Sequence, residues 1–370
     1  MSLRAANLAI QRPHDARLLV VDQYGHIEHR PRTALIDLLR EGDCVIANDA
    51  ATLPASLAAI HERSGAPIEV RLAGRASLDP HDVQRFTAVL FGAGDFHTPT
   101  EARAAPPAVI EGDQLRLGSL RATVLCVLDH PRLVELRFEG NATSIWRTLA
   151  EQGKPVQYAH VPQALALWDV WTTIAAQPVA FESPSAGFVL DWQSVDAMRA
   201  RGIDFATLTH AAGLSSTGDA ALDTRLPFDE PYRIPPSTAQ MIAATRARGG
   251  RVVAIGTTVV RALEHAARSD GIVHAGDGMA TQQLGPGSIL RVVDVIVSGT
   301  HEPDTSHYAL LRAFTDTLTL QRASDELDAH RYRTHEFGDS VWIERRACAG
   351  RERHAKAFNN WSLTLPTEAI

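Results

Sequence analysis

Between about residues 66 and 138 the hydrophobic period of this chain changes, and that change limits the folds open to it. Within the stretch, Ile68–Leu72, Phe86–Phe91, Gln114–Leu117, Ala122–Leu128 and Leu133–Phe138 read as short strands. Several alternate apolar with polar residues, and Gly, Pro and Asp turns separate them, the pattern of a small all-β module inserted in something else.

The flanks follow a different rule. Arg17–Asp22 reads as a strand, Arg32–Leu39 as a helix and Asp43–Asn48 as a second strand. After Asn141 the alternation resumes. Ser194–Arg201 reads as a helix closed by Gly202, with Ile203–Leu208 following as a strand. Ser237 is expected to cap a helix that runs to Arg248 and is stopped by Gly249-Gly250. Leu290–Val297 is almost wholly apolar, as for a strand buried on both faces, and Thr305–Leu318 reads as one further helix. Strands alternating with helices imply a mixed, partly parallel sheet with flanking helices. The expected organisation is an α/β main domain from residues 1–65 and 141–346, the insertion at 66–140, and a basic tail at 347–370.

Arg251–Glu264 is the most informative single segment. Arg251–Ile255 is a β-branched run, Gly256-Thr257-Thr258 a tight turn, and Val259, Val260, Leu263 and Ala267 recur at helical spacing. The turn therefore sits at a helix start, where backbone N–H groups and two hydroxyls could meet a carboxylate or another polar ligand. A plain capped turn explains the same residues.

Composition narrows the function. At 370 residues and 45% hydrophobic content the chain can bury a sizeable core, and no apolar run reaches the roughly 20 residues of a membrane span. A cytoplasmic protein is the expectation, and a monomer is favoured. Cys44, Cys126 and Cys348 have no ligand-like spacing, the 16 histidines are scattered without a His-Glu-x-x-His pattern, and no metal is expected. A formal charge of −7 argues against indiscriminate nucleic-acid binding while leaving room for a local basic patch on a folded RNA.

Several separated segments together resemble one family, the S-adenosylmethionine:tRNA ribosyltransferase-isomerases of queuosine biosynthesis. Asn48-Asp-Ala-Ala-Thr-Leu-Pro-Ala-Ser-Leu57 is similar to the family's Asn-Asp-Thr-Arg-x-x-Pro-Ala-Arg-Leu, and Ser183-Pro-Ser-Ala-Gly187 to its Ala-Pro-Thr-Ala-Gly. Gly256-Thr-Thr-Val-Val-Arg-Ala-Leu-Glu264 resembles its Gly-Thr-Thr-x-x-Arg-x-Leu-Glu closely. Val297–Pro303 and Tyr332–Ile343 resemble its Thr-x-Phe-His-x-Pro and Tyr-Arg-Phe-x-x-Tyr-Gly-Asp-Ala segments. The resemblance implies an α/β fold with an inserted small β-barrel. It also implies S-adenosylmethionine as co-substrate, whose ribosyl group moves onto a deazaguanine in tRNA and is isomerised, while adenine and methionine leave.

The resemblance implies a site as well. His301 and Glu230 are the candidate catalytic residues, and Asn48, Asp49, Ser185, Ala186, Gly187, Gly256, Thr257, Thr258, Arg261 and Asp339 the candidate cofactor-binding residues. Arg261 and Glu264, three apart on one helix, could instead pair only with each other. The departures are specific. Ala51 and Ser56 stand where the family has arginines, Val189 and Thr209 where it has histidines, and Arg225-Leu-Pro-Phe228 where it has His-x-Met-His. Two alternatives follow from them: a paralogue that acts on S-adenosylmethionine with a small-molecule acceptor or as a lyase, and a non-catalytic binding protein on the same fold.

Overall fold

The computed structural model describes residues 4–303 and 305–346. Its main sheet has nine strands, in the order Gly276–Ala280, Glu230–Ile234, Asp204–His210, Cys44–Asn48, Val252–Ile255, Val295–Gly299, Ser340–Glu344, Arg17–Val21 and Ile27–Pro31. The middle four, Asp204–His210 to Val295–Gly299, are parallel to one another. Cys44–Asn48 and Val252–Ile255 are buried along their whole length, because alternate side chains enter different cores. Cys44 and Ile46 pack with Val260 and Leu263 of the helix Thr257–Ala266, whereas Val45 and Ala47 pack with Leu35, Met198 and Trp342 on the other face. A mixed α/β sheet covered on both faces results, as the alternation of strand and helix patterns implies.

The inserted module is a closed six-stranded antiparallel barrel, ordered Leu120–Val127, Leu133–Phe138, Arg85–Phe91, Ala66–Gly74, Ser56–His61 and Gln114–Leu117. It begins at Ser56 rather than at 66. Ser56–His61 is poor in β-branched residues and so carries little strand signal, yet Leu57, Ala59 and His61 turn inward and the strand closes the barrel between two neighbours. Phe181, from the main domain, enters the barrel core edge-on to Phe86, with ring centroids 6.2 Å apart at 89°.

Two other elements differ from expectation for identifiable reasons. Leu290–Asp294 is not strand, which starts only at Val295, because the buried carboxylate of Glu264 accepts the backbone N–H groups of Arg291, Val292 and Val293 at 2.7, 3.0 and 2.9 Å. The expected helix over 305–318 is two helices, Ser306–Leu311 and Thr317–Ala329, since Asp316 caps the second by accepting from Thr319 N and Oγ1 at 2.9 Å. Smaller differences have the same local character. The helix at 236–247 starts on Pro236 with no side-chain cap from Ser237, and the one at 192–200 is capped by Asp191. The basic tail at 347–370 lies outside the described residues. Among those residues no helix is long and apolar enough to cross a membrane.

Candidate active site

The four parallel strands end together, at Asn48, His210, Gly256 and the Ser298–His301 turn, and carboxyl ends of parallel strands are where open α/β sheets hold ligands. Asn48 ties three of these ends. Its amide oxygen accepts from Ala50 N at 3.1 Å and His210 N at 2.9 Å, and its amide nitrogen donates to His210 O at 2.9 Å and Thr258 Oγ1 at 3.4 Å. Asp49, next to it and half-buried, accepts from the hydroxyls of Thr207 and Thr209 at 2.7 and 2.6 Å. Thr209, at the position of a family histidine, thus orients a carboxylate.

Gly256 begins the helix with φ +99, and a Cβ there would lie 3.3 Å from Ala186 Cβ. A bare α-carbon lets the short helical turn Ser185–Val189, which carries Ser185, Ala186 and Gly187, close against this strand end. The two threonine hydroxyls do not converge on one volume. Thr258 reaches Asn48, and Thr257 Oγ1 is 2.9 Å from His307 Nδ1. His307 stacks on His301 with centroids 4.7 Å apart at 12°, and Ser298 Oγ is 2.9 Å from His301 Nε2. Burial, with His307 and His335 close by, pushes His301 well below the usual imidazole range, and burial lowers His307 too. Both rings are neutral at pH 7.

Other candidates are occupied by the protein itself. Burial would raise the Glu230 carboxyl, but Arg261, His210 and the Gly213 N–H outweigh it and hold it at about 2. Gly213 N donates to Oε1 at 2.6 Å, and a Cβ on Gly213 would sit 2.9 Å from that oxygen, so the contact needs glycine. Oε2 pairs with Arg261 Nη1 and lies 3.2 Å from His210 Nε2, off the hydrogen-bond line. Arg261 spends its remaining donors on the carbonyls of Gln282, Phe228 and Ala280. Arg261 and Glu264 therefore do not pair with each other; each ties the helix to a different segment. With Glu230 only 5% and Arg261 3% exposed, this pair is framework. Asp339 is the same kind of residue. Its four lone-pair sites accept from Arg17 N, Arg17 Nη2, Arg333 N and Arg333 Nη2 at 2.8 to 3.3 Å, leaving nothing for a ligand.

Several residues that were not among the sequence candidates face the same region. Tyr158 OH bonds the Glu182 carboxylate, and the Tyr158 ring stacks near His160, which stacks in turn on His335 at 4.1 Å and 18°. His160 Nε2 is 2.8 Å from Glu336 Oε2. Near-parallel rings aim their lone pairs side by side, so this His160–His335–Glu336 group is not arranged to share one ion, although its ligand atoms lie within 4.8 Å of one another. Scattered sequence positions 158, 160, 182, 307, 335 and 336 offer no spacing signal. Glu182 stands just before Ser183-Pro-Ser-Ala-Gly187, and His335 and Glu336 lie within the Tyr332–Ile343 segment.

The missing arginine at Ser56 has a local substitute. Ser56 is paired across strands with Arg71, and Ser56 Oγ and Arg71 Nε both donate to Glu69 Oε1 at 2.7 Å. Arg103 holds the other Glu69 oxygen. Arg71, 1% exposed, also lies over the rings of Phe91 and Tyr158, at 4.5 and 5.7 Å. A guanidinium thus stands on this wall although residue 56 does not supply it. Ala51, by contrast, is buried in a parallel pairing with Pro178.

Fold and candidate site together define an α/β protein with an inserted barrel, whose candidate residues gather at the carboxyl ends of its parallel strands. Residues 2–343 match the model of one family, described as "Queuosine biosynthesis protein", and the chain belongs to that family. Relatives named S-adenosylmethionine:tRNA ribosyltransferase-isomerase include those of Ralstonia nicotianae, 31% identical over 92% of this chain and 90% of that protein, and Symbiobacterium thermophilum, 31% identical over 90% and 94%. A solved structure described as S-adenosylmethionine tRNA ribosyltransferase from Thermotoga maritima aligns with TM-score 0.49 at 23% identity, covering 93% of this chain and 98% of that one.

Proposed function

We propose that this protein is a ribosyltransferase-isomerase that takes the ribosyl group of S-adenosylmethionine and isomerises it onto a deazaguanine in tRNA, releasing adenine and methionine. The observation that carries this reading is the intact strand end at Gly256-Thr257-Thr258, joined through Thr257 to the His307–His301 stack. The sulfonium of S-adenosylmethionine acidifies the ribose 5′ C–H, and the reaction needs a group to take that proton. His301 is a neutral imidazole at pH 7 with Ser298 beside its Nε2, and so is available as that acceptor.

Asn48, Asp49, Ser185, Ala186, Gly187 and the Gly256–Thr258 turn form the walls on which S-adenosylmethionine would lie. Glu230, Arg261 and Asp339 support those walls from behind.

Purified protein incubated with S-adenosylmethionine, with and without tRNA carrying the aminomethyl-deazaguanine, tests the proposal by chromatography of adenine and methionine. Release that depends on the tRNA is expected. Release without it points to another acceptor or a lyase, and no calorimetric binding of S-adenosylmethionine would defeat every enzymatic reading.

A further inference from the structure

Like Asp49, Glu182 is a partly buried carboxyl of this region bonded to hydroxyls rather than to a cation. Its backbone is fixed: Phe181 N and Glu182 N both donate to Ala212 O, at 2.7 and 3.4 Å, while the Phe181 ring is anchored in the barrel. Three residues on, Ser185 opens the turn that closes against Gly256, so Glu182 stands at the rim of the proposed S-adenosylmethionine walls.

The hydrogen bonds around it are satisfied by a neutral carboxyl. Tyr158 OH is 3.1 Å from Ser216 O, to which it can donate, and a protonated Glu182 can then donate to the Tyr158 oxygen. Ser215 Oγ, 3.3 Å from the same phenol oxygen, completes the cluster. The groups that face it act in opposite directions. Burial, with the Glu336 charge adding to it, raises Glu182 to about 7 against the hydrogen bonds of Tyr158 and Ser215. Arg71 lies on the far side, over the Tyr158 ring. For Glu336, burial also raises the carboxyl, but His160 and His335 overcome it and hold it below the ordinary range. Two carboxyls whose environments push them apart are the usual mark of an acid kept ready beside a permanent anion. Glu230, with its oxygens filled by Arg261 and Gly213, has no comparable freedom.

We propose that Glu182 is the proton donor of this site. It gives its carboxyl proton to a ring nitrogen of the departing adenine as the ribosyl C–N bond breaks and that bond's electron pair leaves with the purine. The carboxylate that remains regains a proton from water. This role rests on the activity proposed above.

Glu182→Gln keeps the shape and hydrogen bonds of the neutral acid but cannot donate an acidic proton. Adenine release by the variant is expected to fall about 100-fold or more in kcat, with calorimetric affinity for S-adenosylmethionine within about threefold of the unsubstituted protein. The unsubstituted protein should lose activity as pH rises through about 7, and the variant should lack that limb. An S-adenosylmethionine analogue carrying hypoxanthine, a better leaving group, should restore much of the variant's rate. Tyr158→Phe removes a hydrogen bond that lowers Glu182, so its limb should move to higher pH.

An unchanged pH profile in Glu182→Gln, or activity that rises through pH 7 in the unsubstituted protein, overturns the assignment while leaving the activity standing. Absence of any adenine release by the unsubstituted protein with tRNA overturns both. Should Glu182→Gln not fold, Tyr158→Phe decides alone, and a limb that stays in place sinks the proposal.

Discussion

Arg261→Met is expected to destabilise the protein through Glu230 rather than through any reacting group. Methionine preserves most of the side chain's length but removes the charge and every donor. Glu230 would then be left ionised, 5% exposed, with only Gly213 N and the nearby His210 ring to hold it. Removing one partner of a buried ion pair costs about 3–5 kcal/mol. At about 2.1 cal/mol/K of unfolding entropy per residue, a chain of 370 residues has about 0.8 kcal/mol/K, so the loss should lower Tm by roughly 4–6 °C. Thermal unfolding of Arg261→Met, Glu230→Gln and the double variant is the assay. The double should be more stable than the sum of the singles by over about 1 kcal/mol, because glutamine no longer needs the cation.

The pH dependence has a definite sign. A carboxyl held at about 2 instead of 4.5 contributes stability above pH 4.5 and loses it as pH falls through about 2. The deficit of Arg261→Met should therefore be full at pH 7 and close on acidification. A variant within about 1 kcal/mol of the parent at pH 7, or an additive cycle, refutes the framework role. If Glu230 instead acted as a base, Glu230→Gln would lose turnover about 100-fold while keeping its S-adenosylmethionine affinity.

Glu264→Ala should strand the N–H groups of residues 291–293, at about 1–3 kcal/mol for each that water cannot reach, and hydrogen exchange at those three amides should quicken far more than elsewhere. Arg71→Leu should lower Tm by leaving Glu69 to Arg103 and Ser56, and adding Ser56→Arg should recover at least half of the loss, since residue 56 faces the same carboxylate. No recovery would mean that the two positions are not interchangeable. His301→Ala should reduce turnover about 100-fold with little change in Tm, and an unchanged rate would remove His301 from the reaction.

Much of the fold was legible because periodicity is a local property. The β-rich insertion, the strand at Cys44–Asn48 and the strand–turn–helix at Arg251–Glu264 all follow from spacing within a dozen residues. Ser56–His61 was not legible, since a closed barrel rather than its own residues makes it a strand. Leu290–Asp294 looked like strand and is not, since a carboxylate from a helix almost thirty residues earlier takes its N–H groups.

For the site, sequence alone determined the family resemblance, the helix start at Gly256 and the candidacy of His301. Which charged groups are free and which are spent was decided only by tertiary structure. Glu230 and Asp339 have the residue type of site groups, yet Arg261, Arg17 and Arg333 consume their oxygens. Glu182 has no motif of its own, yet burial, with the Glu336 charge adding to it, raises its carboxyl to about 7 against the hydrogen bonds of Tyr158 and Ser215. A carboxyl's reactivity depends on charge and solvent within a few ångströms, and in this fold those neighbours come from segments tens to hundreds of residues away.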